Sequence, residues 1–220
     1  MKRILELGGV AAGIILVAFG IAAIALGSNG KSTVSSELKA QQIVGTPDMT
    51  PSGIKGEVAS AGLKNVVLPT CSVAGKAVNS GSRARCFAQY MRIHALEATG
   101  GLVYAQMGQF IAKPGTPKAQ LTPDGATSNR DYALTDPATK QPVSNGARNV
   151  WVTETALTTA LNTSFMAQQL ANFGIVVGIA LLLSGIGFLV LAAGGALRTG
   201  AWFFGLRKAA APKAKPVVAA

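Results

Sequence analysis

The sequence predicts a mainly α-helical membrane protein in which two transmembrane helices flank a small, mostly helical extracytoplasmic domain that can include a short β element. Residues 173–197 form an apolar run without an ionisable side chain, and Glu6 is the one ionisable side chain of a second run at 4–26. Each run is long enough to cross about 30 Å of hydrocarbon as a helix. A composition of 49% hydrophobic and 13% charged residues agrees with this division.

Positive charge flanks both apolar runs. Lys2 and Arg3 precede the first run, and the residues that follow the second run include Arg198, Arg207, Lys208, Lys213 and Lys215. The positive-inside rule then predicts a cytoplasmic N-terminus at 1–3, a basic cytoplasmic tail at 198–220 and an extracytoplasmic domain at 27–172. These features predict a multi-pass protein of the cell membrane.

The second flank also predicts where the chain meets lipid head groups. Aromatic and basic side chains alternate there, which is typical of a membrane interface. The predicted interface residues are Arg198, Trp202, Arg207 and Lys208. The net charge of +11 is therefore expected to face anionic lipid rather than a specific nucleic acid.

The first run admits a second interpretation as a secretory signal peptide. It has a basic start, and Ala25-Leu26-Gly27 loosely resembles a small-residue cleavage site. The run exceeds the apolar core of about 7–15 residues that signal peptides have, which favours an uncleaved anchor. Cleavage would leave a protein with a single span.

Glycines recur at helical spacing in both runs. Small residues on one face allow two helix backbones to approach closely in lipid. The predicted packing positions are Gly9, Gly13, Gly20, Gly174, Gly178 and Gly185. The pattern does not separate packing within one chain from dimerisation, and glycine is also common in membrane helices generally.

Three short elements are predicted in the first half of the outer domain. Ser32-Thr33 is expected to cap a short helix that continues to Gln42. Thr50-Pro51 predicts the start of another helix, which Gly62 ends. Residues 64–68 are the best candidate for a strand because valine and leucine follow one another before Pro69.

The second half of the outer domain combines helix and loop. Apolar spacing predicts a helix over 83–98, which Gly100-Gly101 interrupts, and favours a helix over 102–111. Residues 113–149 are rich in proline and turn-forming residues, which predicts loop, either as a mobile cap or as connecting coil. Residues 151–172 regain helical spacing and lead into the second run without a proline.

Cys71 and Cys86 are the two cysteines of the chain, and the predicted topology places them in an oxidising compartment. A disulfide is therefore the favoured interpretation. A metal site is the alternative, because a helix would bring Cys86, His94 and Glu97 near one face and Cys71 could complete the set. Compact ligand spacings are missing, so we predict no metal ligand and no cofactor.

Catalytic motifs are not recognisable in the sequence. His94 is the single histidine, and no nucleophile elbow, P-loop or dinucleotide-binding pattern accompanies it. No charge lies between Glu154 and Arg198, which gives no indication of a proton relay in the membrane. The basic residues Arg83, Arg85 and Arg92 are expected to form a solvated helix face, with an anion-binding surface as the alternative.

Several segments carry a resemblance to a known family. The N-terminal run, IVGTPDMTP, the cysteine pair, ATGGLVYAQMGQF and the segment from VWVTETALTTALNTSF into the second run resemble a bacterial family of two-span membrane proteins. Some members of that family bear the name aromatic ring-opening dioxygenase. The resemblance implies a membrane hairpin and transfers no site residue, since one histidine cannot supply the two that a non-haem iron triad needs.

The sequence therefore predicts a structural or interaction role at the cell envelope, as an accessory subunit of a membrane assembly and not as an enzyme. The expected partners are the lipid bilayer and either another protein or a second copy of the chain. The alternatives are an enzyme such as a ring-opening dioxygenase and a small homo-oligomeric pore lined by Ser184.

Overall fold

A computed structural model describes residues 2–194 and confirms that the chain is mainly helical. The four α-helices within these residues are α1 (Lys2–Ala40), α2 (Pro51–Ser60), α3 (Gly81–Ala98) and α4 (Gly146–Ala193). Short 3-10 helices lie at Tyr104–Gln106, Lys118–Gln120 and Arg130–Tyr132. Between residues 2 and 194 there is no sheet, and β pairing is confined to isolated bridges.

The chain divides into two compact units. Within the described residues, the apolar unit combines 2–28 with 173–194, and the head is Asn29–Asn172. Both α1 and α4 are long and apolar enough to cross a membrane. The predicted cap at Ser32-Thr33 is wrong because α1 continues without a break, and the Thr33 hydroxyl donates to the Asn29 carbonyl inside the helix instead.

Glycines allow the backbones of α1 and α4 to touch in the apolar unit. A Cβ atom on Gly20 would lie 2.8 Å from the carbonyl oxygen of Gly178, and one on Gly185 would lie 2.8 Å from that of Gly13. Gly174 makes only ordinary contact, 3.8 Å from the Ala23 carbonyl, and Gly9 is half-buried. The close packing that the glycine spacing predicts is therefore present within a single chain at four of the six positions.

The core of the head is built around α3. Tyr90, Ile54, Met49, Val73 and Val78 are its largest fully buried apolar side chains. A second, smaller cluster contains Trp151, whose indole N–H donates to the Leu102 carbonyl at 2.8 Å. Helix α3 supplies more buried residues than any other helix of the head, and Ile54 of α2 and Leu161 of α4 pack in the same core.

The predicted starts and stops of α2 and α3 are confirmed. The Thr50 side chain accepts a hydrogen bond from the Gly53 amide at 3.0 Å, and Pro51 follows as the first helical residue. Ser80 caps α3, so this helix begins slightly before the predicted Arg83. Gly100 has a φ of +62°, a conformation that ends the helix and that glycine adopts without strain.

Two secondary-structure predictions are wrong. Residues 64–68 form no strand, because Asn65 adopts a φ of +59° and no neighbouring segment pairs with this stretch. The stretch instead lines a groove of about 730 Å³, and Val67 is 91% exposed. Residues 102–111 contain no α-helix and only the 3-10 turn Tyr104–Gln106, because Met107 is extended and Phe110 pairs with Thr127 and Ser144. Local apolar spacing was therefore not sufficient to predict the secondary structure of either segment.

The loop-rich segment 113–149 is organised by hydrogen bonds around Asp124. One carboxylate oxygen accepts from the Thr122 hydroxyl at 2.6 Å, and the other accepts from the Asn145 side chain at 2.7 Å. Burial acts to raise the pKa of Asp124, but the hydrogen bonds from Thr122, the Gly108 amide and Asn145 outweigh it and lower the pKa below 3.8. Asn145 also accepts from the Ala147 amide at the start of α4, which ties this segment to the helix.

We expect Gly20→Leu to destabilise the helix pair by about 2 kcal/mol, since the larger side chain forces two backbones apart. Gly13→Leu should act in the same way. Titration of detergent micelles with sodium dodecyl sulfate, followed by energy transfer between dyes on α1 and α4, measures the change. Gly187→Leu is the matched control because no atom lies within 4 Å of its Cβ position. Equal effects at Gly187 and Gly20 would contradict the packing described here.

We expect Asp124→Asn to lower the free energy of unfolding by about 2 kcal/mol at pH 7, because hydrogen bonds to a charged carboxylate are lost. The folded-state pKa of Asp124 is depressed, so its contribution is complete above the unfolded-state pKa and disappears as the pH falls through the folded-state value. Urea titrations between pH 7 and 3 should therefore show the two proteins converging in acid. Asp131→Asn, at an exposed carboxylate in the same segment, should cost little at any pH.

Candidate functional site

A cluster of ionisable side chains lies where the turn before α2, α2 itself and α3 meet. His94 Nε2 is 2.9 Å from an oxygen of Asp48 and 3.5 Å from an oxygen of Glu57. The side chains of His94 and Asp48 are 27% exposed, and that of Glu57 is 32% exposed. The cluster is thus partly buried and remains open to solvent.

The start of α2 places Asp48. The Asp48 carbonyl accepts a hydrogen bond from the Thr50 amide at 2.6 Å, which makes a tight turn just before the helix. A Cβ atom on Gly53 would lie 2.5 Å from this carbonyl oxygen, so glycine is required where the first helical turn passes over it. Ile54 is fully buried and holds α2 against the core, which keeps Glu57 on the same side of the helix as the turn.

Helix α3 places His94 through the buried Tyr90, which lies one turn earlier on the same helix. The Tyr90 hydroxyl donates a hydrogen bond to the Cys71 carbonyl at 2.5 Å. Cys71 and Cys86 form a disulfide with an S–S distance of 2.04 Å and a Cα–Cα distance of 6.1 Å. The bridge and the tyrosine therefore attach the 71–73 segment to α3 at two successive turns.

The electrostatics of the cluster involve both Asp48 and Tyr90. Burial acts to raise the pKa of Asp48, but hydrogen bonds from the Thr46 side chain and from its own backbone amide, with the charge of His94, lower it below 3.8. Burial raises the pKa of Tyr90 above 10.0, and the negative charge of Asp48 raises it further. Asp48 is consequently an anion, and Tyr90 a neutral donor, at neutral pH.

The alternative metal site of Cys71, Cys86, His94 and Glu97 is not assembled. Both sulfur atoms belong to the disulfide, so neither is a thiolate that could bind a metal. His94 approaches Asp48 and Glu57 rather than Glu97. Sequence reasoning missed these two carboxylates because they belong to a different helix and its preceding turn, and only the packing of α2 on α3 brings them to His94.

The basic residues of α3 are used within the head. Arg83 donates to the Ala77 carbonyl and to the Asn79 side chain. Arg85 lies 4.7 Å from the ring centroid of Phe165, and Arg92 lies 5.4 Å from that of Trp151. The predicted solvated face of Arg83, Arg85 and Arg92 therefore describes these residues only in part. Their cations also pack on aromatic rings or bind backbone oxygen atoms.

Other predicted site residues fall outside this cluster. The glycine positions belong to the apolar unit described above. The predicted interface residues Arg198, Trp202, Arg207 and Lys208 lie outside the described residues. Of the residues selected from the sequence, the candidate site of the head contains His94, which belonged to the alternative metal set, and the Cys71–Cys86 disulfide lies nearby.

Comparison with known protein families, curated proteins and solved structures finds no match to this chain. The function is accordingly inferred from the residues, their contacts and their charges.

We expect the double variant Cys71→Ser with Cys86→Ser to lose about 3 kcal/mol of stability, since the bridge closes a short loop in the unfolded chain. The two cysteines are 15 positions apart. Urea titration of the purified protein measures the loss. Reducing agent should destabilise the parent protein by a similar amount and leave the double variant unchanged. A parent protein that is insensitive to reduction would contradict the stabilising role of the bridge.

Proposed function

We propose that the protein is an integral membrane protein with two spans, whose head lies outside the cytoplasm and serves as an accessory subunit of an envelope assembly. The observation that carries the proposal is the exposure of apolar side chains along α1 and α4. In both apolar windows most residues are solvent-exposed. A helix in the core of a water-soluble protein would bury them.

The exposed apolar side chains surround the helix pair. They include Ile14, Ile15, Phe19, Ile21, Phe173, Val176, Leu183 and Val190. Such a continuous apolar surface is favourable in contact with lipid and causes aggregation in water. The close glycine contacts support the same proposal, because helix association in lipid relies on van der Waals packing between small residues.

The orientation of the head rests on charge and on the disulfide. Basic residues precede the first apolar run and follow the second, so the positive-inside rule favours a cytoplasmic location for both termini. Disulfides persist in oxidising compartments, and the Cys71–Cys86 bridge is consistent with a head outside the cytoplasm. The two arguments are independent of each other and favour the same topology.

An accessory role is favoured over a homo-oligomeric pore. Gly13, Gly20, Gly178 and Gly185 contact each other within one chain, so these faces are already occupied and do not provide an interface between copies. From Phe173 to Ala193 the second apolar run has no ionisable side chain that could line an ion pathway. The head, Asn29–Asn172, is then the part of the molecule that we expect to contact partners.

Reporter proteins test the topology directly. We expect alkaline phosphatase inserted at Gly115, an open position in the head, to be active, and green fluorescent protein fused after Ala220 to fluoresce in the cytoplasm. Both fusions should stay in the membrane pellet after alkaline carbonate extraction. An inactive phosphatase with intact membrane insertion would reverse the orientation, and release by carbonate would contradict the membrane assignment.

Purification in mild detergent tests the accessory role. The tagged full chain should retain an envelope protein at a constant molar ratio through two chromatographic steps, as mass spectrometry of the eluate will show. An unrelated two-span protein carrying the same tag is the control. Recovery of the chain alone, or of partners shared with that control, would contradict the role of accessory subunit while leaving the topology unaffected.

A further inference from the structure

Asp48, Glu57 and His94 are close enough together to contact one metal ion. Each side chain offers one ligand atom, and these atoms all lie within 4.8 Å of one another. The two distances from His94 Nε2 are 2.9 Å and 3.5 Å. Ligand atoms around tetrahedral Zn²⁺ lie about 3.3 Å apart, because each is about 2.0–2.1 Å from the ion. The two distances from His94 Nε2 lie on either side of this value.

A second observation comes from the Asp48 oxygen that faces the histidine. This atom, Oδ2, is buried, and His94 Nε2 lies 2.9 Å from it as an ion-pair partner. Glu57 places a second carboxylate oxygen 3.5 Å from the same nitrogen, so two carboxylates share one imidazole. A divalent cation held by all three groups would balance the charge of both carboxylates.

We propose that Asp48, Glu57 and His94 bind one divalent transition-metal ion of the Zn²⁺ type. One imidazole and two carboxylates suit such an ion, and the set differs from the two histidines and one carboxylate of non-haem iron oxygenases. Three protein ligands leave at least one coordination position for water or an anionic group. The partial exposure of all three side chains gives solvent access to that position.

The ligands come from the turn before α2, from α2 and from α3, so the ion joins two helices that otherwise meet through apolar packing around Ile54. An ion that binds only the folded head stabilises it by mass action. This consequence does not depend on the membrane topology or on the presence of a partner. The metal site and the accessory role can therefore fail separately.

Calorimetry with ZnCl₂ tests the site on the full chain, purified in detergent without a histidine tag and freed of metal with EDTA. We expect one Zn²⁺ per chain and a higher Tm when Zn²⁺ is present. Asp48→Asn and His94→Gln should each weaken binding by roughly 100-fold or more, since loss of a ligand exceeds loss of a supporting group. Both variants should also lose the increase in Tm.

Glu97→Gln is the matched control, because Glu97 is an exposed carboxylate on α3 outside the cluster. It should bind Zn²⁺ as the parent does. Co²⁺ in place of Zn²⁺ gives a second readout, since its visible absorption reports imidazole and carboxylate coordination and should disappear in His94→Gln. Circular dichroism verifies that each variant is folded, and if Asp48→Asn or His94→Gln is not, the more exposed Glu57→Gln replaces it.

Three results would overturn the proposal. The first is the absence of binding by the parent up to about 1 mM Zn²⁺, which corresponds to a negligible affinity. The second is unchanged affinity in the folded ligand variants. The third is an equal loss in Glu97→Gln, which would indicate general attraction of cations by surface carboxylates.

Discussion

The burial of Tyr90 beneath the Cys71–Cys86 bridge is the interaction on which the rest of the head depends. Tyr90 is fully buried, and its hydroxyl finds an acceptor in the Cys71 carbonyl, so its polar atom carries no desolvation penalty. The bridge joins the same segment to α3 one turn earlier. With α3 held in this way, His94 is placed next to α2, and the cluster with Asp48 and Glu57 follows.

The apolar unit is stabilised by a different interaction, which is van der Waals contact between helix backbones. In the proposed membrane placement, hydrophobic burial would not drive the association of α1 with α4, because lipid is as apolar as the side chains. The glycines at positions 13, 20, 178 and 185 instead allow backbone contact, which increases the number of atoms in van der Waals range. The head, by contrast, is stabilised by buried apolar side chains, a disulfide and hydrogen bonds around Asp124.

The two units also differ in their content of ionisable side chains. Residues 7–26 and 173–193 carry no ionisable side chain, whereas the head concentrates two carboxylates and a histidine in one partly buried place. Like charges at this distance repel each other unless a cation lies between them. A bound metal ion would supply such a positive charge.

The sequence by itself determined the two apolar helices, the Thr50 cap of α2 and the glycine spacing of both runs, because these depend on neighbours along the chain. Thr50 accepts from an amide three residues on, and glycine spacing needs only helical period to form a face. The tertiary structure alone decided that residues 64–68 find no strand partner, that α1 continues past Ser32, and that Asp48 and Glu57 meet His94. Those outcomes depend on residues far apart in the chain. Leu38 of α1 is buried in the core of the head, and Asp48 and Glu57 reach His94 only when α2 packs against α3.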